Sequence, residues 1–517
     1  MKTFKIGTRG SLLAVTQSSL ILNELEKISG HQFELVKIKT QGDEITNKPL
    51  WQLEGKDFFT KELDEALLSG AVDLVVHSYK DLGSIRPEGI ELAAITERRF
   101  AHDILFINKD SIPKLKNWSG VFKIGTSSPR RIVNITKSIA SYIPHLDENN
   151  IKIECEMLRG NVNTRLGKLK NNQYDAIILA LAGIERLAHT EESKKELSEL
   201  LSGMNYMILP QSAFPSAASQ GALGIETYAH RNDNGELKSY INKLFHAPTG
   251  EEVKREREAF KSYGGGCHLA VGIHVKKVKD FYLHIHSGEV DGKRIEKKYL
   301  EGAQDFTGKF NKIFVGLPKT KITGAVTDEY LDKKPVINHF ESSGKHLFVT
   351  SKHTLENLSQ NNPEKAQGLW AAGTKTWKEL VKAGHWVNGC SDSLGVQDLE
   401  MVKTSKALQI IHPQLSSSWI VLSHTEAESP LGKVIPSYDR IPTKVEESWK
   451  SDLLSAEAYF WTSFPQYQHY VEAFPEIQTK SHFCGLGKTY DEFYKAGISI
   501  HPLEGMDQIN SLLKVNL

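Results

Sequence analysis

The sequence predicts a multidomain α/β protein, and three observations carry that reading. Lys-Ile-Gly-Thr occurs at 5–8 and again at 123–126, each time as a short strand, a glycine turn and a helix start. Short apolar runs of the buried, parallel-strand type lie between helical stretches, as at Val72–Val76 and Ala176–Leu179. A second repeat, 375–384 against 488–497, marks two related α/β subdomains in the last third. A chain of 517 residues should hold roughly three to five domains.

The first Lys-Ile-Gly-Thr copy continues through Arg9-Gly10-Ser11 into an amphipathic helix ending near Gly30. Residues 33–39 alternate around Phe33, Leu35 and Ile38, as a second strand would. After the run at 72–76 comes His77-Ser78-Tyr79-Lys80-Asp81. That puts Asp81 at a strand's C-terminal edge, where ligands bind in such sheets. A lone aspartate there is more often a cap than a catalyst. Lys80 beside it would hold it ionised and help bind carboxylates. The second copy runs into Ser127-Ser128-Pro129, with Pro129 at a first helical position. Both copies offer backbone N–H groups and a hydroxyl at a helix start, a natural anion site.

The texture changes near 236. A charged helix over 251–262 precedes strands near 269–276, 281–287 and 294–300, so a small α+β domain with an antiparallel sheet is expected. Its helix–strand junction is Gly264-Gly265-Gly266-Cys267. Three glycines leave the thiol on an accessible turn, although a tight turn with a chance cysteine is the plain alternative. Further on, Glu341-Ser342-Ser343-Gly344 reads as a surface turn or linker. Phe348-Val349-Thr350-Ser351 resembles Phe460-Trp461-Thr462-Ser463, and the two repeated pairs are offset by 112 and 113 residues.

Composition narrows the function. Net charge is +1, from 64 basic and 63 acidic residues, so there is no global basic field for nucleic acid and any anion site is local. Four scattered cysteines without a CxxC argue against a disulfide framework or a structural zinc, and fit a reducing cytoplasm. No signal-peptide core opens the chain, and no apolar run reaches the about 18 residues of a membrane span. Local cations are plentiful: Arg9, Arg130, Arg131, Arg159, Arg165 and Arg186 fall in strand-to-helix turns or near them, and Lys56 and Lys61 could add charge from a loop. One such arginine is ordinarily a solvated charge. Six at the mouths of two facing domains suit a polycarboxylate, which a guanidinium binds bidentately.

These stretches together resemble hydroxymethylbilane synthase, also called porphobilinogen deaminase, over residues 1 to about 310. The carriers are Gly7-Thr8-Arg9-Gly10-Ser11, Gly55-Lys56 with Lys61-Glu62-Leu63, His77–Asp81, Gly125–Arg131, Leu158–Leu166, Ser219–Glu226 and Gly265-Gly266-Cys267. The resemblance implies two periplasmic-binding-protein-like α/β domains followed by the small α+β domain. It implies that Cys267 carries a dipyrromethane cofactor by a thioether, and that porphobilinogen units add to it until four are joined, then leave by hydrolysis. Asp81 would be catalytic with Lys80. Lys80, Asp81, Thr126, Ser127, Ser128, Arg130, Arg131 and Gly160 would hold the cofactor. Arg9, Ser11, Lys56, Arg130, Arg159, Arg165, Arg186 and Gln220 would bind substrate. The chain departs from the family at His102, where an arginine is usual, at His268-Leu269-Ala270 after the cysteine, and at Gly83.

Residues 311–517 resemble uroporphyrinogen-III synthase more faintly, through Phe348–Ser351, Ala372–Thr376, Tyr438–Pro442, Trp461–Ser463 and Gly485–Thr489. That family has two α/β subdomains flanking a cleft and uses no metal or cofactor. Thr350, Ser351, Thr376, Thr462, Ser463 and Thr489 are candidates for substrate carboxylates, each also readable as a cap or core hydroxyl, and Tyr438 for proton handling. The usual Thr-Arg-Pro is absent; Gly316-Leu317-Pro318 stands there. The expected domains are 1–100, completed by about 216–238, then 101–215, 239–310 and 311–517. The expected protein is a cytoplasmic, monomeric, bifunctional enzyme without metal, nucleic-acid or membrane partners. It would turn four porphobilinogens into hydroxymethylbilane and close that to uroporphyrinogen III. The alternatives are a C-terminal half that only docks or stabilises, and a non-catalytic anion-binding protein.

Overall fold

The computed structural model describes residues 2–40, 60–83, 85–266, 268–303, 309–318 and 322–514. Strand Thr3–Arg9 is second in a five-stranded sheet, between Gln32–Ile38 and Leu74–Ser78, both parallel to it. Ser11 starts the helix Leu12–Ser29 by accepting from Ala14 N at 3.4 Å, and Gly30 ends it at φ 69°, a left-handed cap that favours glycine. A second sheet repeats the arrangement, with Val121–Gly125 between Lys152–Glu156 and Ala176–Ala180. Pro129 opens its helix Pro129–Ser138.

The two sheets exchange strands. The first runs on through Leu223–Tyr228 to Ile90–Ile95, and the second through Asp103–Asn108 to Met204–Ile208. In each the fourth strand is antiparallel to both neighbours. The chain thus crosses between the sheets twice, at 96–102 and 209–222. Their C-terminal strand edges face one cleft, which is what positions the site.

Helix Ala247–Ser262 lies on a three-stranded antiparallel meander, Ala270–Val278, Phe281–Val290 and Lys293–Glu301. Asp291 and Gly292 both take positive φ in the two-residue turn of the second hairpin. The C-terminal part holds two further sheets. One is all parallel, in the order Ala325–Thr327, Ile313–Val315, Ala458–Trp461, Ser481–Gly485, His501–Leu503. The other is Leu331–Pro335, Lys433–Pro442, Trp419–His424, His346–Val349, Gly368–Ala371, Gly389–Cys390, parallel apart from its first pair. The repeated segments become the equivalent strands His346–Val349 and Ala458–Trp461 and helices Thr374–Lys382 and Lys488–Lys495. Glu341–Gly344 is a turn leading into a strand of the second of these sheets.

The halves share their interior. The edge strand Met204–Ile208 meets the edge Gly389–Cys390, where Ile208 N donates to Asn388 O at 2.8 Å. Trp377 Nε1 donates to Tyr142 O, and Trp386 Nε1 to Tyr206 O. One core joins Leu105, Phe122, Met207 and Phe214 to Leu347, Trp377, Leu380 and Ile435. Another joins Phe106, Ile177 and Ile184 to Trp370, Leu408 and Trp419. Apolar surface of this size would not stay in water. Among the described residues no helix is long and apolar enough to cross a membrane.

Candidate active site

A cavity of about 710 Å³ opens between the first two sheets. Its wall gathers Arg9, Ser11, Lys80, Asp81, Arg131, Arg159, Gly160, Arg165, Arg186 and Gln220 from the sequence-predicted set. They come together because strand ends and helix starts of both sheets point into the cleft. Asp81 follows the strand Leu74–Ser78 in a single 3-10 turn and is exposed to the cavity. Arg186 stands near it, donating to Gly221 O at 2.6 Å. Burial lowers the Arg186 pKa to about 10, and Asp81 opposes that shift.

The cations crowd one another. Burial lowers Arg165 to about 10, with Arg131 and Arg159 pushing the same way. Lys80 is lowered by burial, with Arg131 and Arg130 adding and Asp81 opposing. Like charges held this close favour an anion between them. Arg165 is aimed by its bond to Gly160 O, 2.8 Å. Lys80 donates to Gln220 Oε1 at 3.2 Å, while Gln220 Nε2 donates to Ala101 O and Asp103 Oδ1. With both amide hydrogens used, the Gln220 oxygen must face Lys80.

Other predicted residues stand elsewhere. Arg130 is not in the cavity wall: it pairs with Asp103 at 2.8 Å and donates to Pro215 O. Arg131 reaches the wall but also pairs with Asp103 at 2.7 Å. Asp103 is 1% exposed, and such a carboxylate needs its cations nearby. Despite burial, these two arginines hold its pKa far below the usual carboxylate range. Thr126, Ser127 and Ser128 are likewise outside the wall. Ser127 Oγ donates to Leu158 O and accepts from Leu158 N, tying the strand end to the next loop. Thr126 is buried with its N–H on Glu156 O. Half-buried His102 faces the C-terminal half, where partial burial, with His274 and Lys276, lowers it to about 4 against Asp398 and Asp392. Lys56 and Cys267 lie outside the described residues.

Sequence reasoning missed Lys37, Lys39, Gln17, Asn161 and Asn163, all in the cavity wall. Nothing in the sequence motifs singles out the two lysines. The signal was their register, since Arg9 pairs with Ile38 between them.

Of the C-terminal candidates, Tyr438 lies on the strand Lys433–Pro442 and Ser463 is joined to it through Arg440. Tyr438, buried, lies 5.5 Å from the His353 ring and 6.0 Å from His424. Arg440 Nη1 donates to Ser463 Oγ at 3.2 Å, joining the two C-terminal sheets. Thr462 donates to Gly316 O, Thr489 to Thr462 O, and Thr350 to Leu422 O. Ser351 accepts from His353 N, and Thr376 lies in the first turn of helix Thr374–Lys382. Lys333, Lys352 and Lys488, unforeseen in the sequence, add charge. Burial, with Lys333 and Lys352, lowers His353 to about 4, and burial, with Arg440, Lys488 and Lys333, lowers His424 to about 4. Among the described residues no group of three His, Cys, Asp or Glu could hold a metal ion.

The comparisons with known proteins fall on the first cavity. The family model "Porphobilinogen deaminase, dipyromethane cofactor binding domain" matches residues 4–236. A porphobilinogen deaminase of Trichlorobacter lovleyi is 36% identical over 304 residues, 58% of this chain and 88% of that one. The Geotalea uraniireducens protein is 38% identical over 306 residues, 58% and 86%. That of Geobacillus kaustophilus is 31% identical over 306 residues, 59% and 90%. Through its N-terminal part, which supplies the whole of the cavity wall, the chain belongs to the porphobilinogen deaminase family.

Proposed function

We propose that the N-terminal part condenses four porphobilinogens into hydroxymethylbilane with loss of ammonia, and that the C-terminal part closes this to uroporphyrinogen III. The carrying observation is one accessible carboxylate, Asp81, in a cavity ringed by Arg9, Arg131, Arg159, Arg165, Arg186 and Lys80. Each pyrrole ring brings an acetate and a propionate, so a growing chain needs many fixed cations. Burial and mutual repulsion of Arg131, Arg159 and Arg165 supply the complementary site.

The same donor set fits a dipyrromethane, itself a tetracarboxylate. Lys80, Arg131, Arg159 and Arg165 would hold its carboxylates, and Cys267 would anchor it. When bound, that group supplies the pyrrole carbon to which the next ring is joined. Asp81 would stabilise the cation left when porphobilinogen loses ammonia and take up the proton released at ring joining. Arg186, beside Asp81, would orient the incoming ring by a carboxylate. Asp81→Asn tests this: ammonia release should fall by at least about a hundredfold. Because Asp81 is exposed, the urea midpoint should stay unchanged. Normal turnover in Asp81→Asn would refute the assignment.

The second activity is supported by the doubled sheets and by the cluster of Lys333, Lys352, Arg440 and Lys488 around Tyr438. With His353 and His424 held neutral at pH 7, the cluster's charge comes from those four side chains and suits the eight carboxylates of the linear tetrapyrrole. Tyr438 has two neutral imidazoles beside it, and it would handle the proton on ring closure.

A further inference from the structure

Helix Leu181–Leu187 carries two adjacent residues with different duties. Arg186 faces the cavity beside Asp81. Glu185 faces the C-terminal half and is 4% exposed. There its carboxylate accepts from Ser405 Oγ at 2.6 Å, Lys406 N at 3.1 Å and Ala407 N at 3.2 Å. His189 Nε2 lies 3.2 Å away on the other side. Burial would raise the Glu185 pKa, but these bonds hold it below the usual carboxylate value.

We propose that Glu185 is a positioning residue for Arg186, and that the C-terminal half, through Ser405, Lys406 and Ala407, fixes where this guanidinium stands in the N-terminal cavity. This rests on the reading of Arg186 as a binder of porphobilinogen carboxylate. Successive helix residues point about 100° apart, so one turn can serve cavity and interface at once. Helix Leu181–Leu187 directly follows the strand Ala176–Ala180, which sets its height. The Glu185 contact resists rotation about the helix axis, and a turn of about 10° would move a guanidinium by about 1 Å. Misplacement on that scale weakens the pairing of a guanidinium with a substrate carboxylate. Ile184, Leu187, Ala407 and Leu408 pack in one core around the contact, so the grip is dry. The relatives align over 58–59% of this chain, and Ser405 lies beyond that N-terminal stretch. This contact to Glu185 therefore comes from outside the stretch those relatives share with the chain.

The test uses the full-length chain and porphobilinogen. Ser405→Ala removes a donor in the C-terminal half without touching the cavity. It should raise the porphobilinogen KM about three- to tenfold and leave kcat within about twofold. Ser405→Thr, which restores the hydroxyl, should recover most of the loss. In an Arg186→Lys background, Ser405→Ala should add little further. A KM unchanged in folded Ser405→Ala, or an equal rise with Arg186 and with Lys at 186, would overturn the proposal. Should Ser405→Ala fail to fold, Glu185→Gln is read by the same cycle. A wild-type chain that consumes no porphobilinogen would overturn the functional reading, and the proposal with it.

Discussion

Replacing Glu256 by glutamine cuts a knot that joins three parts of the N-terminal half. The carboxylate is 0% exposed. Oε1 accepts from Arg98 Nη1 at 2.6 Å and from Val275 N at 2.9 Å, and Oε2 accepts from Ser219 N at 2.6 Å. Arg98 follows the last strand of the first sheet, Ser219 lies in the returning crossover, and Val275 belongs to the meander. Burial alone would raise the Glu256 pKa, but Arg98 and His274 bring it to about 2 from the ordinary 4.5. That difference is worth about 3 kcal/mol of folding stability at neutral pH. The folded pKa lies below the unfolded one. The contribution is therefore complete above about pH 4.5 and fades as pH falls towards 2. Glu256→Gln keeps the shape but leaves the buried Arg98 guanidinium with Glu252 as its remaining carboxylate. A cost of about 3–5 kcal/mol is expected at pH 7. Urea unfolding followed by circular dichroism reads it. The variant should unfold at clearly lower urea at pH 7, and the gap from wild type should narrow at pH 3.5. An unchanged midpoint, or a gap independent of pH, would refute the reasoning.

Arg165→Gln removes one of three crowded guanidiniums. It should raise the porphobilinogen KM about tenfold or more, while the melting temperature without substrate stays level or rises. A lower melting temperature with unchanged KM would make Arg165 a structural residue. Trp377→Ala empties a fully buried site where the halves meet, at a cost of about 3–5 kcal/mol. Both halves should then unfold earlier, together; early loss of the C-terminal half alone would contradict a shared core.

Local chemistry made the first helices and hairpins legible. A serine at a helix start, glycine after its end, proline at a first turn and Asp-Gly between alternating runs each act within a few residues. The duplication at 375–384 and 488–497 was readable for the same reason, as two copies of one local pattern. The strand exchange carries no such local signal, and the expectation that about 216–238 completes the first domain comes only with the family resemblance. Arg130 shows the same limit at the site. Nothing near it in the sequence shows that it and Arg131 both pair with the buried Asp103. Nothing in the sequence marks Trp377 and Trp386 as interface residues, and only their partners Tyr142 and Tyr206 reveal it. Lys333, Lys352 and Lys488 are far apart in sequence and meet only because the chain leaves one C-terminal sheet and returns to it.

The most direct measurement is the isomer formed from porphobilinogen. The purified full-length chain is incubated with porphobilinogen, the product is oxidised, and uroporphyrin I is resolved from uroporphyrin III. Hydroxymethylbilane left to itself closes to isomer I. Two working halves predict mainly isomer III without added enzyme. Mainly isomer I would contradict the C-terminal assignment, and no porphyrin from folded protein would contradict the account as a whole.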